Sequence, residues 1–216
     1  MSNEVIQAQE APASAPIQVL EQTSAITNWL DKSSFDQLAR VSAMLAKSSL
    51  VPQNYQNKPE DCLIAMDMAS RIGTNPLMVM QNLYVVKGKP AWSGQACAAL
   101  IKNCGRFENV KHVRTGEKGA DNRGCYYMAT DKANGEVLIG VEVTVAMAKA
   151  EGWISNTKWK SMPEQMLGYR AAAFFARLHC PEALLGIQTA EEVEDVDSTR
   201  ASTRARNLTD ALRSGV

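Results

Sequence analysis

The sequence predicts an α+β fold in which a small antiparallel β-sheet packs with helices and flexible segments flank the folded body. Apolar residues recur at helical spacing in several segments, and β-branched and aromatic residues are concentrated in short runs. The connections between the central runs are too short for crossover helices, which favours antiparallel strands. We expect a flexible arm over residues 1–22, one domain over residues 23–190 and a polar tail over residues 191–216.

Four helices are predicted in the first half of the chain. They cover residues 34–47, 59–73, a short stretch from 75, and 93–105. Ser34 and Ser93 are suitable N-caps, because a serine oxygen can accept a hydrogen bond from a backbone N–H of the first turn. Pro59 suits a first turn, and Gly73 and Gly105 suit helix ends. The helix over residues 34–47 is amphipathic, with apolar residues along one side.

A small β-hairpin is predicted between the third and fourth of these helices. Residues 83–86 are β-branched and aromatic, and the Lys-Gly-Lys-Pro sequence that follows is typical of a turn. Ala91 and Trp92 would continue the second strand. This arrangement places Lys87 and Lys89 at the tip of the hairpin.

The second half of the domain is predicted to contain three strands followed by helices. The strands cover residues 107–114, 124–130 and 136–145, and turn-forming sequences separate them. A helix near residues 146–151 ends at Gly152. Residues 162–179 form the clearest helix in the chain, with Pro163 in its first turn and Pro181 just beyond its end.

Charge is distributed unevenly along a chain whose 23 basic and 23 acidic residues cancel. Residues 71–180 contain 15 lysines and arginines against eight acidic residues, an excess of about seven positive charges. The flanks are acidic, and the run from Glu191 to Asp197 is interpreted as a solvated acidic segment. A basic middle is typical of a protein that binds a polyanion, although an ordinary enzyme can show the same asymmetry.

Motifs for catalysis and cofactor binding are scarce. The chain contains no phosphate-binding glycine loop and no GxSxG sequence, so ATP-driven strand exchange is disfavoured. His112 and His179 do not stand at metal-binding spacing, and the five cysteines form no CxxC pair. No apolar run approaches the roughly 20 residues of a membrane span, and no signal sequence is recognisable. We therefore expect a cytoplasmic protein that needs no cofactor.

Basic residues alternate with aromatic residues in three stretches, around residues 84–92, 153–160 and 169–177. Such mixtures suit single-stranded nucleic acid, because lysine and arginine attract phosphates while exposed bases stack on aromatic rings. The alternative is an ordinary core whose aromatic residues have surface lysines as neighbours. Arg170 and Arg177 are seven residues apart, so they should share a helical face and project together towards an anion.

Residues 159–171 have the sequence WKSMPEQMLGYRA, with Arg177 and Leu178 after it, and this stretch closely resembles the signature of the RecT/Redβ family. Further segments follow in the family's order, from CLIAMDMA at residues 62–69 to QT at 188–189 and EEV at 191–193. The resemblance implies a mixed α/β annealing fold, assembly into rings or helical filaments, and annealing of complementary strands during phage recombination. Proteins of this family typically act with a partner 5′ to 3′ exonuclease and on host strands coated by single-strand-binding protein.

The resemblance and the charge pattern together predict a DNA-binding and oligomerisation domain that makes and breaks no chemical bond. Trp159, Arg170 and Arg177 match an aromatic and two basic positions that the family uses to bind DNA. The residues expected to contact single-stranded DNA or the annealed duplex intermediate are Lys87, Lys89, Trp92, Arg106, Lys158, Trp159, Lys160, Arg170 and Arg177.

Two other functions remain as alternatives. One is a metal-dependent nuclease that uses carboxylates, and its candidate ligands are Asp61, Asp67, Glu142 and Glu151. The other is an oligomeric protein whose basic body binds acidic protein partners rather than DNA.

Overall fold

The computed structural model describes residues 31–195 and Arg204. The predicted arm over residues 1–22 lies outside this range. The helices of the described part are α1 (Lys32–Leu45), α2 (Pro59–Arg71), α3 (Pro76–Asn82), α4 (Gly94–Asn103), α5 (Val145–Ala150), α6 (Lys158–Ser161) and α7 (Pro163–His179). The strands are β1 (Leu83–Val86), β2 (Lys89–Trp92), β3 (Phe107–Thr115), β4 (Gly124–Asp131), β5 (Val137–Ile139) and β6 (Val143–Thr144). These elements confirm the predicted α+β class.

Local capping chemistry fixes where the first helices begin. The Asp31 carboxylate accepts a hydrogen bond from the backbone N–H of Ser34 at 2.8 Å, so α1 begins before the serine that the sequence favoured as its cap. Pro59 stands in the first turn of α2, as predicted. The Asn75 side chain caps α3 by accepting from the N–H of Leu77 at 2.8 Å.

Strands β1 and β2 form the predicted antiparallel hairpin, with Val86 opposite Lys89. Its two turn residues, Lys87 and Gly88, have φ angles of 52° and 77°. Two successive positive φ angles are characteristic of a type I′ turn, whose twist matches that of the strands it joins. Lys87 adopts a conformation that is strained by roughly 1 kcal/mol for a residue with a Cβ, and both lysines lie at the exposed tip.

The main sheet is antiparallel and has β4 at its centre. Strand β4 pairs with β3 on one side and with β5 and β6 on the other. The single strand predicted over residues 136–145 is therefore divided in two. The break coincides with close packing against α7, since a Cβ built on Gly140 would lie 3.1 Å from the Cβ of Phe175.

Helix α7 lies across β4 and α4 and forms the centre of the core. Its Phe175 is fully buried, as are Trp92 of β2, Met80 of α3 and Ile101 of α4. Three consecutive alanines of α7, at residues 171–173, are also fully buried, and their small size permits this close packing. None of the described helices is both long enough and apolar enough to cross a lipid bilayer.

Candidate nucleic-acid interface

The nine residues expected to contact DNA divide into an exposed group and a buried group. The exposed side chains are Lys87, Lys89, Arg106, Lys158, Lys160 and Arg177. The buried residues are Trp92, Trp159 and Arg170, with exposed fractions of 0%, 4% and 6%. A buried side chain presents no surface to a base or a phosphate, so the two groups require separate explanations.

Trp92 is a core residue that joins β2 to the segment after α7. Its indole N–H donates to the carbonyl oxygen of Leu184 at 3.1 Å, and its backbone N–H donates to the carbonyl oxygen of Gln188 at 2.8 Å. We expected Trp92 to contact a sugar or base, and the structure corrects this expectation because the side chain lies in the core. The hydrophobic effect and this buried hydrogen bond hold the ring inside the protein.

Trp159 is likewise enclosed, in a cluster with Trp153 and Asp195. The centroids of the two indole rings are 5.5 Å apart, and the Trp159 indole N–H donates to the Asp195 carboxylate at 3.1 Å. In this conformation Trp159 orders the protein rather than stacking on DNA. The match to an aromatic position of the family signature is explained here by packing.

Arg170 is buried between an aromatic ring and two carboxylates. Its guanidinium carbon lies 4.2 Å from the centroid of the Trp153 ring, which is the geometry of a cation–π interaction. The same group forms ion pairs with Asp195 and, at 3.3 Å, with Glu192. The structure therefore places the buried guanidinium of Arg170 against the protein's own carboxylates rather than at a surface where a phosphate could reach it, which corrects the expected phosphate contact.

Arg177 and Arg170 do project towards one anion, as their spacing predicted, but that anion belongs to the protein. Arg177 donates to both carboxylate oxygens of Glu192, with Nη1 2.6 Å from Oε1. Burial alone would raise the pKa of Glu192, but the hydrogen bonds from Arg177 and Thr189 and the charge of Arg170 outweigh burial and lower it. Arg177 retains 38% exposure, so one side of it also faces solvent.

The two carboxylates that hold these arginines lie in a short helical stretch, residues 190–195, which we call the acidic segment. Glu192 and Asp195 are 2% and 0% exposed, so the interpretation of this run as a solvated segment was wrong for both. They stand three residues apart and therefore share a helical face. That spacing, matched to Arg170 and Arg177 on α7, is a sequence signal that could have revealed the contact.

Lys158 and Arg106 are exposed but take part in ion pairs. The Lys158 ammonium lies 3.0 Å from the Glu194 carboxylate, and this hydrogen bond raises the pKa of the lysine. Arg106 donates to Asp131 at 3.0 Å and to the carbonyl oxygen of His179 at 2.6 Å, so it ties the end of α7 to the sheet. Lys87, Lys89 and Lys160 are exposed as well.

A groove that the sequence did not reveal lies between β3 and α7, and we call it the edge groove. Its volume is about 300 Å³. It is lined by His112, Arg114, Tyr127, Glu164, Gln165, Gly168 and Tyr169. Glu164 at its rim binds Arg114 and forms a bidentate pair with Arg123, at 2.8 and 2.9 Å. Side chains two residues apart on a β-strand point to the same face, so the sequence of β3 could have placed His112 and Arg114 together. Both lie on the face of the sheet that α7 covers.

The carboxylates of the nuclease alternative have different protein partners. Asp67 accepts from Arg71 at 2.7 Å, Glu142 accepts from Thr115, and Asp61 lies 3.8 Å from the Lys58 ammonium. Over residues 31–195, no three histidine, cysteine, aspartate or glutamate side chains are grouped so that they could hold a metal ion.

Comparison with known proteins identifies one family. The model of the RecT family matches residues 36–204, which includes every helix and strand from α2 to α7 and the acidic segment. No curated protein and no solved structure matches the chain. Because the matched region covers well over half of the 216 residues, the chain belongs to the RecT family.

Proposed function

We propose that this protein binds single-stranded DNA and anneals complementary strands without a nucleotide or metal cofactor. The observation that carries the proposal is the match to the RecT family over residues 36–204. The exposed lysines of the hairpin and of α6 are consistent with a surface that attracts the phosphate backbone. Base pairing between the two strands would supply the sequence test, so the protein itself needs no base-specific contacts.

The bound strand is proposed to run over Lys87, Lys89 and Lys160, with Arg177 as a further contact. Phosphate binding by lysine and arginine releases counterions from the strand, so affinity must fall as salt rises. Oligomerisation into rings or helical filaments would align the basic surfaces of successive subunits. We further propose a phage or prophage origin, action in the bacterial cytoplasm, and cooperation with an exonuclease and with host single-strand-binding protein.

The hairpin tip provides a test of this surface that leaves the fold intact. The double substitution K87N/K89Q removes two charges, and asparagine tolerates the positive φ of residue 87 better than lysine does. We expect weaker binding to single-stranded DNA and a log–log salt slope that is smaller by roughly 1.4, which is two phosphates at about 0.7 each. Fluorescence anisotropy of a labelled oligonucleotide across a salt series measures both quantities.

The matched control is K47Q, because Lys47 is an exposed lysine just after α1 and lies outside the basic middle of the chain. This control should bind DNA as the unmodified protein does. If the affinity and the salt slope of the hairpin variant both equal those of the control, the hairpin is not part of the DNA-binding surface.

A further inference from the structure

The edge groove is formed because α7 covers the centre of the sheet but not its margin. Tyr127 of β4 packs under the helix, with its ring centroid 6.4 Å from that of Phe175. His112 stands opposite Tyr127 on β3, and among the described strands β3 lies at the edge of the sheet. His112 and Arg114 therefore face the same side as the buried residues but extend past the helix, where they are exposed.

Gly168 leaves the helix side of this groove open. It lies inside α7, where glycine weakens a helix relative to alanine. Apart from its two chain neighbours and the nearby backbone of its own helix, a Cβ built on Gly168 would meet no heavy atom of the described residues within 4 Å, and its φ is not in the left-handed region. Neither packing nor backbone conformation accounts for a glycine at this position. Its effect is to keep a space in front of the helix backbone clear of side-chain atoms.

The aromatic rings around that space are held in place by the protein. A Cβ on Gly94 would lie 2.5 Å from the ring of Tyr169, so the tyrosine packs directly on the start of α4. The Tyr169 hydroxyl oxygen accepts a hydrogen bond from Gln165 at 2.6 Å. The His112 ring lies 5.9 Å from the Tyr127 ring, and burial raises the pKa of Tyr127 to about 12, so that phenol stays neutral.

The charges at the rim favour a neutral group over a phosphate. Glu164 is bound to Arg114 and Arg123, so its carboxylate already satisfies these two guanidinium groups. An incoming phosphate would have to compete with that carboxylate at close range, whereas an uncharged aromatic ring would not. A volume of about 300 Å³ is at the small end of ligand pockets, which suits one planar ring system.

We propose that the edge groove receives one nucleobase of the bound strand, stacked against the exposed ring of His112 above the backbone at Gly168. This inference rests on the proposed binding of single-stranded DNA. Stacking on a ring does not depend on base identity, so the contact would be tolerant of sequence. It would anchor the strand at one base per subunit and leave the neighbouring bases accessible for pairing.

The substitution G168L tests the inference by filling the groove, and G168A is its matched control. Two probes are used with each variant: an oligothymidine strand and a strand of equal length that consists of abasic sites. The abasic strand retains the phosphates and lacks the bases. We expect G168L to bind oligothymidine about tenfold more weakly than G168A does, because one stacking contact is lost, and to bind the abasic strand equally well.

Equal affinity of G168L and G168A for oligothymidine would overturn the inference while the proposed function stands. Failure of the unmodified protein to bind either strand would overturn the proposed function as well. If G168L does not fold, H112A replaces it, since His112 is exposed on β3. Selective loss of oligothymidine binding by H112A would support the inference, and unchanged binding of both strands would contradict it.

Discussion

Replacing Arg170 by alanine is expected to lower the free energy of unfolding by about 3–5 kcal/mol. The guanidinium of Arg170 is 6% exposed and neutralises Glu192 and Asp195, which are almost fully buried. Removing it leaves two buried carboxylates with less positive charge to neutralise them, and it takes away the cation–π contact with Trp153. Urea denaturation followed by circular dichroism measures the change.

The control for R170A is R71A, which breaks an ion pair between Arg71 and Asp67 on α2. The Arg71 side chain is 46% exposed, so solvent screens this pair and R71A should lower the free energy of unfolding far less than R170A does. An Arg170 that bound phosphate directly would behave differently. R170A would then match R71A in stability while its affinity for DNA fell, and that result would restore Arg170 to the interface.

Replacing Trp92 by alanine is expected to lower the free energy of unfolding by about 3–5 kcal/mol, because it opens a cavity in the core. The Trp92 side chain is fully buried and donates to the carbonyl oxygen of Leu184. W92F is the matched variant, since it fills most of the space and loses mainly the hydrogen bond. We expect W92F to be destabilised by less than half as much, and thermal unfolding of the three proteins gives the comparison.

DNA binding by the Trp92 variants distinguishes a structural role of this residue in the core from a direct contact with DNA. If the tryptophan is structural, W92F should bind single-stranded DNA with the affinity of the unmodified protein at a temperature where it is folded. A W92A protein that is as stable as the unmodified chain and binds DNA poorly would contradict the assignment to the core.

Much of the fold could be predicted from local sequence. The caps and prolines around α2, α3 and α7 gave helices close to those observed, and the Lys-Gly turn gave the hairpin. The break between β5 and β6 was not predicted, and it coincides with the close approach of Phe175 to Gly140. That contact joins residues far apart in the chain, which local periodicity does not report.

The interface was harder to predict because exposure is a tertiary property. The seven-residue spacing of Arg170 and Arg177 correctly indicated a shared face and a common anion. It did not indicate that the anion is Glu192, 15 residues beyond Arg177. In the same way, residues Ala91 and Trp92 of β2 are both buried, so alternation along that short strand gave no guide to which side chain faces solvent.

These contacts give the family signature of this chain a structural explanation. Trp159 and Arg170 meet at Asp195, and Arg170 and Arg177 meet at Glu192. The signature residues Trp159, Arg170 and Arg177 thus hold the acidic segment against α7, and Arg177 also reaches the surface. The lysines of the hairpin tip and Lys160 of α6 are exposed.

Annealing of two labelled complementary oligonucleotides by the purified protein, without ATP and with EDTA, across a salt series would show whether the protein is a cofactor-free annealer. We expect the protein to accelerate annealing at low salt, the acceleration to fade as salt rises, and the length of the strands to stay unchanged. No acceleration at any salt concentration would contradict this proposal, as would acceleration only after ATP or a divalent metal ion is restored.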